Sequence, residues 1–368
     1  MYRDHLLKYN YDYLDISYAG KRINNHGVVI ESIFSDEPEL FDYNIREGLY
    51  GSELEEHINK AKKELTNLIT SSECDNIILS GEAISTLKKN ELVKLKKYLD
   101  SLQCNYKVLC SVRTPYSFMC SDHQEVIKIN NASVENVFVR EKFQHTVKLK
   151  EVFLDKIEYY SFIDSCKWHK GVTNYFLNFI NCKELPDSLK EVRSNNGLNN
   201  LSTRLYSFLN VKHPNIVDGK LNPLGRGFNT IDLDDNKFLL TERELHKVRS
   251  ELDNENKLFK DSFGGDYCDA TYPTAEETKI SIIQSYEAYN FHRNSNLAES
   301  ILLFVELYRD FEWDELIDYA YQKEDADILR DIALYEITSK DLATKSIVRA
   351  LILRPKGKVI NKLALSIT

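Results

Sequence analysis

Tyr106-Lys107-Val108-Leu109-Cys110-Ser111-Val112-Arg113-Thr114-Pro115 is the stretch on which the fold turns. Tyr106 to Val112 reads as a strand, Arg113-Thr114-Pro115 turns the chain, and Tyr116 to about Ile129 has the spacing of a helix. The same alternation runs upstream. Apolar residues recur at helical spacing from Leu54 to Ile69 (Leu54, Ile58, Ala61, Leu65, Leu68, Ile69), and Asn76-Ile77-Ile78-Leu79-Ser80 is a short buried-strand run. Lys88 to Leu102 then carries Leu92, Leu95, Leu99 and Leu102 on one stripe. Helix, strand, helix, strand, helix is the order of an α/β domain, a parallel sheet with flanking helices. Ligands of such sheets gather outside the carboxyl ends of the strands, which here are Ser80-Gly81-Glu82 and Arg113-Thr114-Pro115.

The middle of the chain carries weaker signals. Tyr159, Tyr160, Phe162 and Trp168 form an aromatic group with the character of core, and Ser194 to Asn200 reads as an exposed loop. Thr241 and Glu244 have the spacing of a capping box opening a helix that runs to about Phe259. After Tyr272-Pro273-Thr274 only helical patterns follow, at about Glu276–Phe291, Leu297–Arg309, Trp313–Gln322, Ala326–Glu336 and Asp341–Leu353, with a short last one beyond Pro355. The expected division is therefore an α/β domain over residues 1–270 and an α-helical C-terminal domain over 271–368. Helix pairs joined by short turns resemble tetratricopeptide-like hairpins, without a clean 34-residue period, and a helical cap packed on the sheet domain fits the same pattern at least as well.

Composition narrows the function. An excess of 57 Asp and Glu over 48 Lys and Arg gives a formal charge of −9, which argues against general nucleic-acid binding. Apolar runs such as Ile301–Val305 are far shorter than the ~20 residues of a membrane span, and Met1-Tyr2-Arg3-Asp4-His5 has no signal-peptide core. The seven cysteines are scattered, without a CxxC spacing or a His cluster, so reduced thiols and a cytoplasmic location are expected and no metal site is.

Two strand ends carry the candidate chemistry. Arg113 at one end and Ser121 on the following helix form the outline of an anion site, a guanidinium fork and a hydroxyl near a helix N-terminus. Alternatively Arg113 is a solvated strand-end charge and Ser121 an ordinary helix residue. Glu82 at the other end is either a carboxylate that accepts a proton from an attacking hydroxyl or an acidic cap on the segment that follows. His26, in Ile23-Asn24-Asn25-His26, is a second candidate for acceptor binding or proton transfer; a lone His is more often a satisfied structural residue. Trp168-His169-Lys170 presents a ring for stacking on a sugar or adenine, and Arg226, set between Gly225 and Gly227, is a candidate to approach a phosphate or acidic acceptor, although glycine-flanked loop arginines are commonly just exposed. The run Asp232–Asp235 reads as a solvated loop, with a divalent-metal site as the minor alternative.

Ser80-Gly81-Glu82, Val112-Arg113-Thr114-Pro115, Ser121 and Gln124 together resemble bacterial sulfotransferase-like proteins related to carbohydrate sulfotransferases. The likeness takes in Asn25-His26, Leu240-Thr241-Glu242 and Glu255-Asn256-Lys257-Leu258-Phe259 before Phe263-Gly264, covering about residues 1–270. It implies a P-loop-like sulfotransferase fold and 3'-phosphoadenosine 5'-phosphosulfate as donor, with no metal. Arg113 and Ser121 match the family's arginine and serine that hold the donor's 3'-phosphate, and Glu82 falls where a general base can stand. The family also opens with a strand and a loop of the type Pro-Lys-Thr-Gly-Thr-Thr. The chain as given shows no such segment, and Met1 to Tyr9 resembles the helix that follows it, so a sheet with an exposed edge is expected.

The function expected from this resemblance is transfer of a sulfuryl group to a carbohydrate hydroxyl, in surface polysaccharide synthesis. A non-catalytic scaffold of the same fold, holding a protein partner on the C-terminal helices, is the alternative. A nucleotide-sugar glycosyltransferase ranks last, since no metal-binding Asp pair is tied to a strand end.

Overall fold

The computed structural model describes residues 2–129, 132–189, 197–218, 220–227, 229–276, 279–293, 295–309, 311–335 and 339–367. Helix α1 (Tyr2–Lys8) leads into β1 (Tyr11–Tyr13) and a hairpin of β2 (Ile16–Tyr18) and β3 (Lys21–Ile23). Helices α2 (His26–Phe34), α3 (Asp42–Arg46) and α4 (Gly51–Ser71) precede β4 (Asn76–Ile78). Then come α5 (Lys89–Ser101), β5 (Val108–Val112) and α6 (Pro115–Ile129), completing the alternation read from the sequence. Beyond it lie α7 (Phe143–Phe153), β6 (Ile157–Ser161), α8 (Phe162–Lys167), α9 (Gly171–Phe179) and α10 (Asn200–Lys212). A small hairpin, β7 (Ile216–Val217) and β8 (Lys220–Leu221), precedes α11 (Glu242–Phe263). The last named elements are α12 (Ile282–His292), α13 (Ala298–Tyr308), α14 (Trp313–Gln322), α15 (Ala326–Leu334), α16 (Lys340–Leu353) and α17 (Lys358–Ile367).

Both expected strands form, and each takes a parallel partner that the sequence reading did not identify. Tyr11 lies opposite Asn76 and Tyr13 opposite Ile78, so β1 covers one flank of β4. Val108 lies opposite Ile157 and Val112 opposite Ser161. These are two separate two-stranded ladders. At 61% helix the protein is mixed α/β with small parallel sheets and a helical C-terminal region, a coarser architecture than the single parallel sheet expected.

Two compact units divide the chain, neither of them continuous in sequence. The first comprises Met1–Pro115, Glu141–Ser194 and Asn254–Asp269, and the second comprises Tyr116–Arg140, Asn195–Asp253 and Ala270–Thr368. The division thus differs from the expected single boundary at residue 270. Its cause is burial: Tyr116 and Ile127 of α6, Leu205 of α10 and Leu245 of α11 share one apolar core with Phe304 of α13 and Ile328 of α15. In the first unit α2 is apolar on two sides, with Val29 in a cluster with Leu54 and Leu65, and Ile30 and Phe34 in another with Leu92 and Phe153. Burial on both sides removes the one-faced periodicity by which a helix is read from sequence.

The local signals hold well. Thr241 Oγ1 accepts the Glu244 N–H at 3.3 Å while Glu244 Oε2 accepts the Thr241 N–H at 2.8 Å, the reciprocal capping expected, and α11 runs on to Phe263. The same buried carboxylate takes a two-pronged ion pair from Arg204, at 2.7 and 3.2 Å. The helix expected from Glu276 starts at Ile282, where Ser281 and Gln284 make a second capping box; Glu277 and Thr278 lie outside the described residues. So do Glu336 and, in the stretch expected as an exposed loop, Ser194, Asn195 and Asn196. The remainder of that stretch is not an exposed loop throughout: Leu198 and Asn199 are buried, and Asn199 Oδ1 caps α10 through the Ser202 N–H at 2.9 Å. Among the described residues, no helix is long and apolar enough to cross a membrane.

Candidate functional site

At the carboxyl end of β4 the chain is pinned to the start of α2. Asn25 caps α2 by accepting the Gly27 N–H at 3.1 Å, and the His26 N–H donates to the Ser80 carbonyl at 2.9 Å. The Ser80 N–H donates in return to His26 Nδ1 at 2.8 Å. Nδ1 is therefore the unprotonated nitrogen, and Nε2 carries the hydrogen and donates to the Leu14 carbonyl at 2.7 Å. The ring is fully buried and tilted against Tyr13 at 4.5 Å. Burial pushes its pKa below the ordinary histidine value, partly offset by the Leu14 carbonyl. As placed, His26 is a neutral fastener between the ends of β1 and β4, and proton transfer through either nitrogen would break one of these bonds.

Glu82 opens a short 3-10 turn, Glu82–Ser85, and is exposed. Its carboxylate makes no side-chain cap and has no partner among the described residues, so of the two expected roles the capping bond is not formed. The same turn meets a titratable group that the sequence reading missed. Thr86 Oγ1 donates to Glu31 at 3.3 Å, and Lys148 of α7 reaches the Thr86 carbonyl at 3.3 Å. His145 Nδ1 lies 3.3 Å from both the Ser85 carbonyl and Lys148 Nζ, and one nitrogen serves either as donor to the first or as acceptor from the second. Burial moves Glu31 up and Lys148 down, both toward their neutral forms.

Arg113 leaves the other ladder. Because Val112 and Ser161 are opposite one another in parallel strands, the next residues, Arg113 and Phe162, emerge side by side. The guanidinium carbon lies 4.1 Å from the Phe162 ring centroid. The following turn is tied down by Thr114 Oγ1 donating to Asp269 at 2.6 Å, and by Asn256 and Asp269 exchanging bonds of 2.8 and 2.7 Å. Ser121, half-buried on α6, belongs to the second unit while Arg113 belongs to the first. Gln124 is buried and donates to the Leu198 carbonyl at 2.8 Å.

The other singled-out residues are engaged within the fold. Trp168 Nε1 donates to Glu184 at 3.2 Å, and His169 and Lys170 lie 3.6 and 3.4 Å from the same carboxylate. Arg226 is not an exposed loop arginine but is buried. Its Nη2 donates to the Ile127 and Lys128 carbonyls at 2.7 and 2.8 Å, closing the C-terminus of α6, while Nε reaches Asn210 at 2.5 Å. In the acidic run, Asp234 accepts the Leu201 N–H at 3.2 Å at the start of α10.

No protein-family model, curated protein or solved structure matches the chain.

Proposed function

We propose that this protein is a sulfotransferase-like enzyme that transfers a sulfuryl group from 3'-phosphoadenosine 5'-phosphosulfate to a carbohydrate hydroxyl. The observation that carries the reading is the pair of strand ends in one unit: Arg113 at the carboxyl end of β5, laid over Phe162, and an exposed, unpartnered Glu82 just beyond the carboxyl end of β4. Ligands of parallel α/β sheets collect at such ends. In the proposed reaction the acceptor oxygen bonds to sulfur as the bond from sulfur to the donor's bridging oxygen breaks, and Glu82 takes the acceptor proton. Arg113 binds the donor's 3'-phosphate, and the carbohydrate class of the acceptor comes from the resemblance.

Calorimetric titration with adenosine 3',5'-bisphosphate tests the reading. Micromolar binding that Arg113→Ala abolishes, with the thermal midpoint in buffer nearly unchanged, is the expected result; unaltered affinity in the variant overturns the assignment. The second reading, a scaffold holding a protein partner, is favoured by the exposed apolar side chains Ile352 of α16 and Val359 and Leu365 of α17. A folded protein that binds no bisphosphate leaves that reading ahead.

A further inference from the structure

We propose that Phe162 is a positioning residue for Arg113, fixing the guanidinium so that its edge meets the 3'-phosphate of the donor nucleotide. The inference rests on the donor reading above and adds to it a residue that presents the arginine. Among the described residues Phe162 pairs with no other aromatic ring and enters none of the apolar clusters, unlike its neighbours Tyr159, packed against Phe263, and Tyr160, packed against Tyr175 and Phe179. Its aromatic face is instead turned to the Arg113 guanidinium at 4.1 Å, and both residues are half-buried.

The register makes this arrangement a property of the backbone. Val112 opposite Ser161 sends Arg113 and Phe162 out of adjacent parallel strands at the same level, and Thr114 bonded to Asp269 fixes the turn that follows. A guanidinium stacked on a ring uses its weakly hydrated face and keeps its N–H groups in the plane, pointing outward from the edge, the geometry that matches a phosphate oxyanion in two-pronged fashion. The ring contact narrows the rotamers of the long arginine side chain before the nucleotide arrives, which lowers the ordering cost of binding.

The test compares adenosine 3',5'-bisphosphate with adenosine 5'-monophosphate on the full chain, by calorimetry, in the unsubstituted protein, Arg113→Ala, Phe162→Leu and Phe162→Tyr. The ratio of the two affinities isolates the 3'-phosphate. Phe162→Leu, which keeps apolar bulk without the aromatic face, is expected to lower the ratio by roughly threefold to thirtyfold, and Phe162→Tyr to retain it. General damage to the fold would weaken both nucleotides alike, leave the ratio unchanged and overturn the positioning role. A ratio lost in Arg113→Ala but intact in Phe162→Leu also overturns that role while leaving the donor reading in place. An unsubstituted protein that does not distinguish the two nucleotides overturns the donor reading itself.

Discussion

A Cβ built on Gly81 would lie 2.0 Å from the backbone nitrogen of Gly27 and 2.3 Å from its Cα. The contact is backbone against backbone, so no side chain can swing away to relieve it. Gly81 is extended at φ −176°, a conformation open to any residue, and it is space rather than dihedral freedom that demands glycine here. Gly81→Ala should destabilise the protein by about 2 kcal/mol or more, read as a lower urea midpoint. Gly265→Ala, where a Cβ meets nothing within 4 Å, is the control and should change stability by less than about 0.5 kcal/mol. A Gly81→Ala midpoint equal to the control's would mean that α2 does not hold this close approach in solution.

Acid should weaken the fold through its buried histidines. Burial, aided by the positive charge of Arg226, pushes His292 down to about 4, and burial also lowers His26 and His123. The unfolded chain protonates these rings at about pH 6.5 while the folded chain resists. Stability is therefore full above about pH 6.5 and falls as pH drops toward about 4, by on the order of 2 kcal/mol for His292. His292 Nε2 has no hydrogen-bond partner among the described residues, so His292→Phe should flatten this slope between pH 6.5 and 4.5 at little cost at pH 7. An unchanged slope in urea titrations at the two pH values would contradict the assignment.

Arg226→Met should cost about 3 kcal/mol, because it leaves the Lys128 carbonyl and the Asn210 oxygen without the donors that hold them. Bisphosphate affinity of the folded variant should be unchanged. Weakened nucleotide binding at full stability would instead return this arginine to the ligand.

Glu82→Gln should leave bisphosphate binding intact while slowing release of that product from 3'-phosphoadenosine 5'-phosphosulfate by about a hundredfold or more. Turnover at the normal rate would remove Glu82 from the reaction. Since the carboxylate is exposed and unpartnered, no loss of stability is expected to confuse the comparison.

What was legible in the sequence was what neighbours decide. The Thr241–Glu244 cap is settled within one turn, and the stripe from Leu54 to Ile69 already announces α4. Tyr11–Tyr13 is a strand because Asn76–Ile78 pairs with it, a distant condition that three residues cannot advertise. The sequence around His26 does not show what its ring bonds to, because its partner Ser80 lies 54 residues away. Arg226 looked solvated between its glycines until the end of α6 was folded against it. At the candidate site, Arg113 and Glu82 could be singled out from strand-end position alone, whereas Phe162, His145 and Lys148 needed the register of β5 with β6 and the docking of α7 on the 82–86 turn.

The alternation of the chain between its two units sets the order in which a ribosome could complete them. Phe259 shares a small core with Val112 and Phe143, so the first unit lacks part of its interior until Phe259 has been synthesised, after the whole of Tyr116–Arg140 and Asn195–Asp253. Neither unit can be finished as an early, self-contained product, and a stop codon placed after Asp269 would leave Tyr116, Ile127 and Leu205 stripped of the helices that bury them.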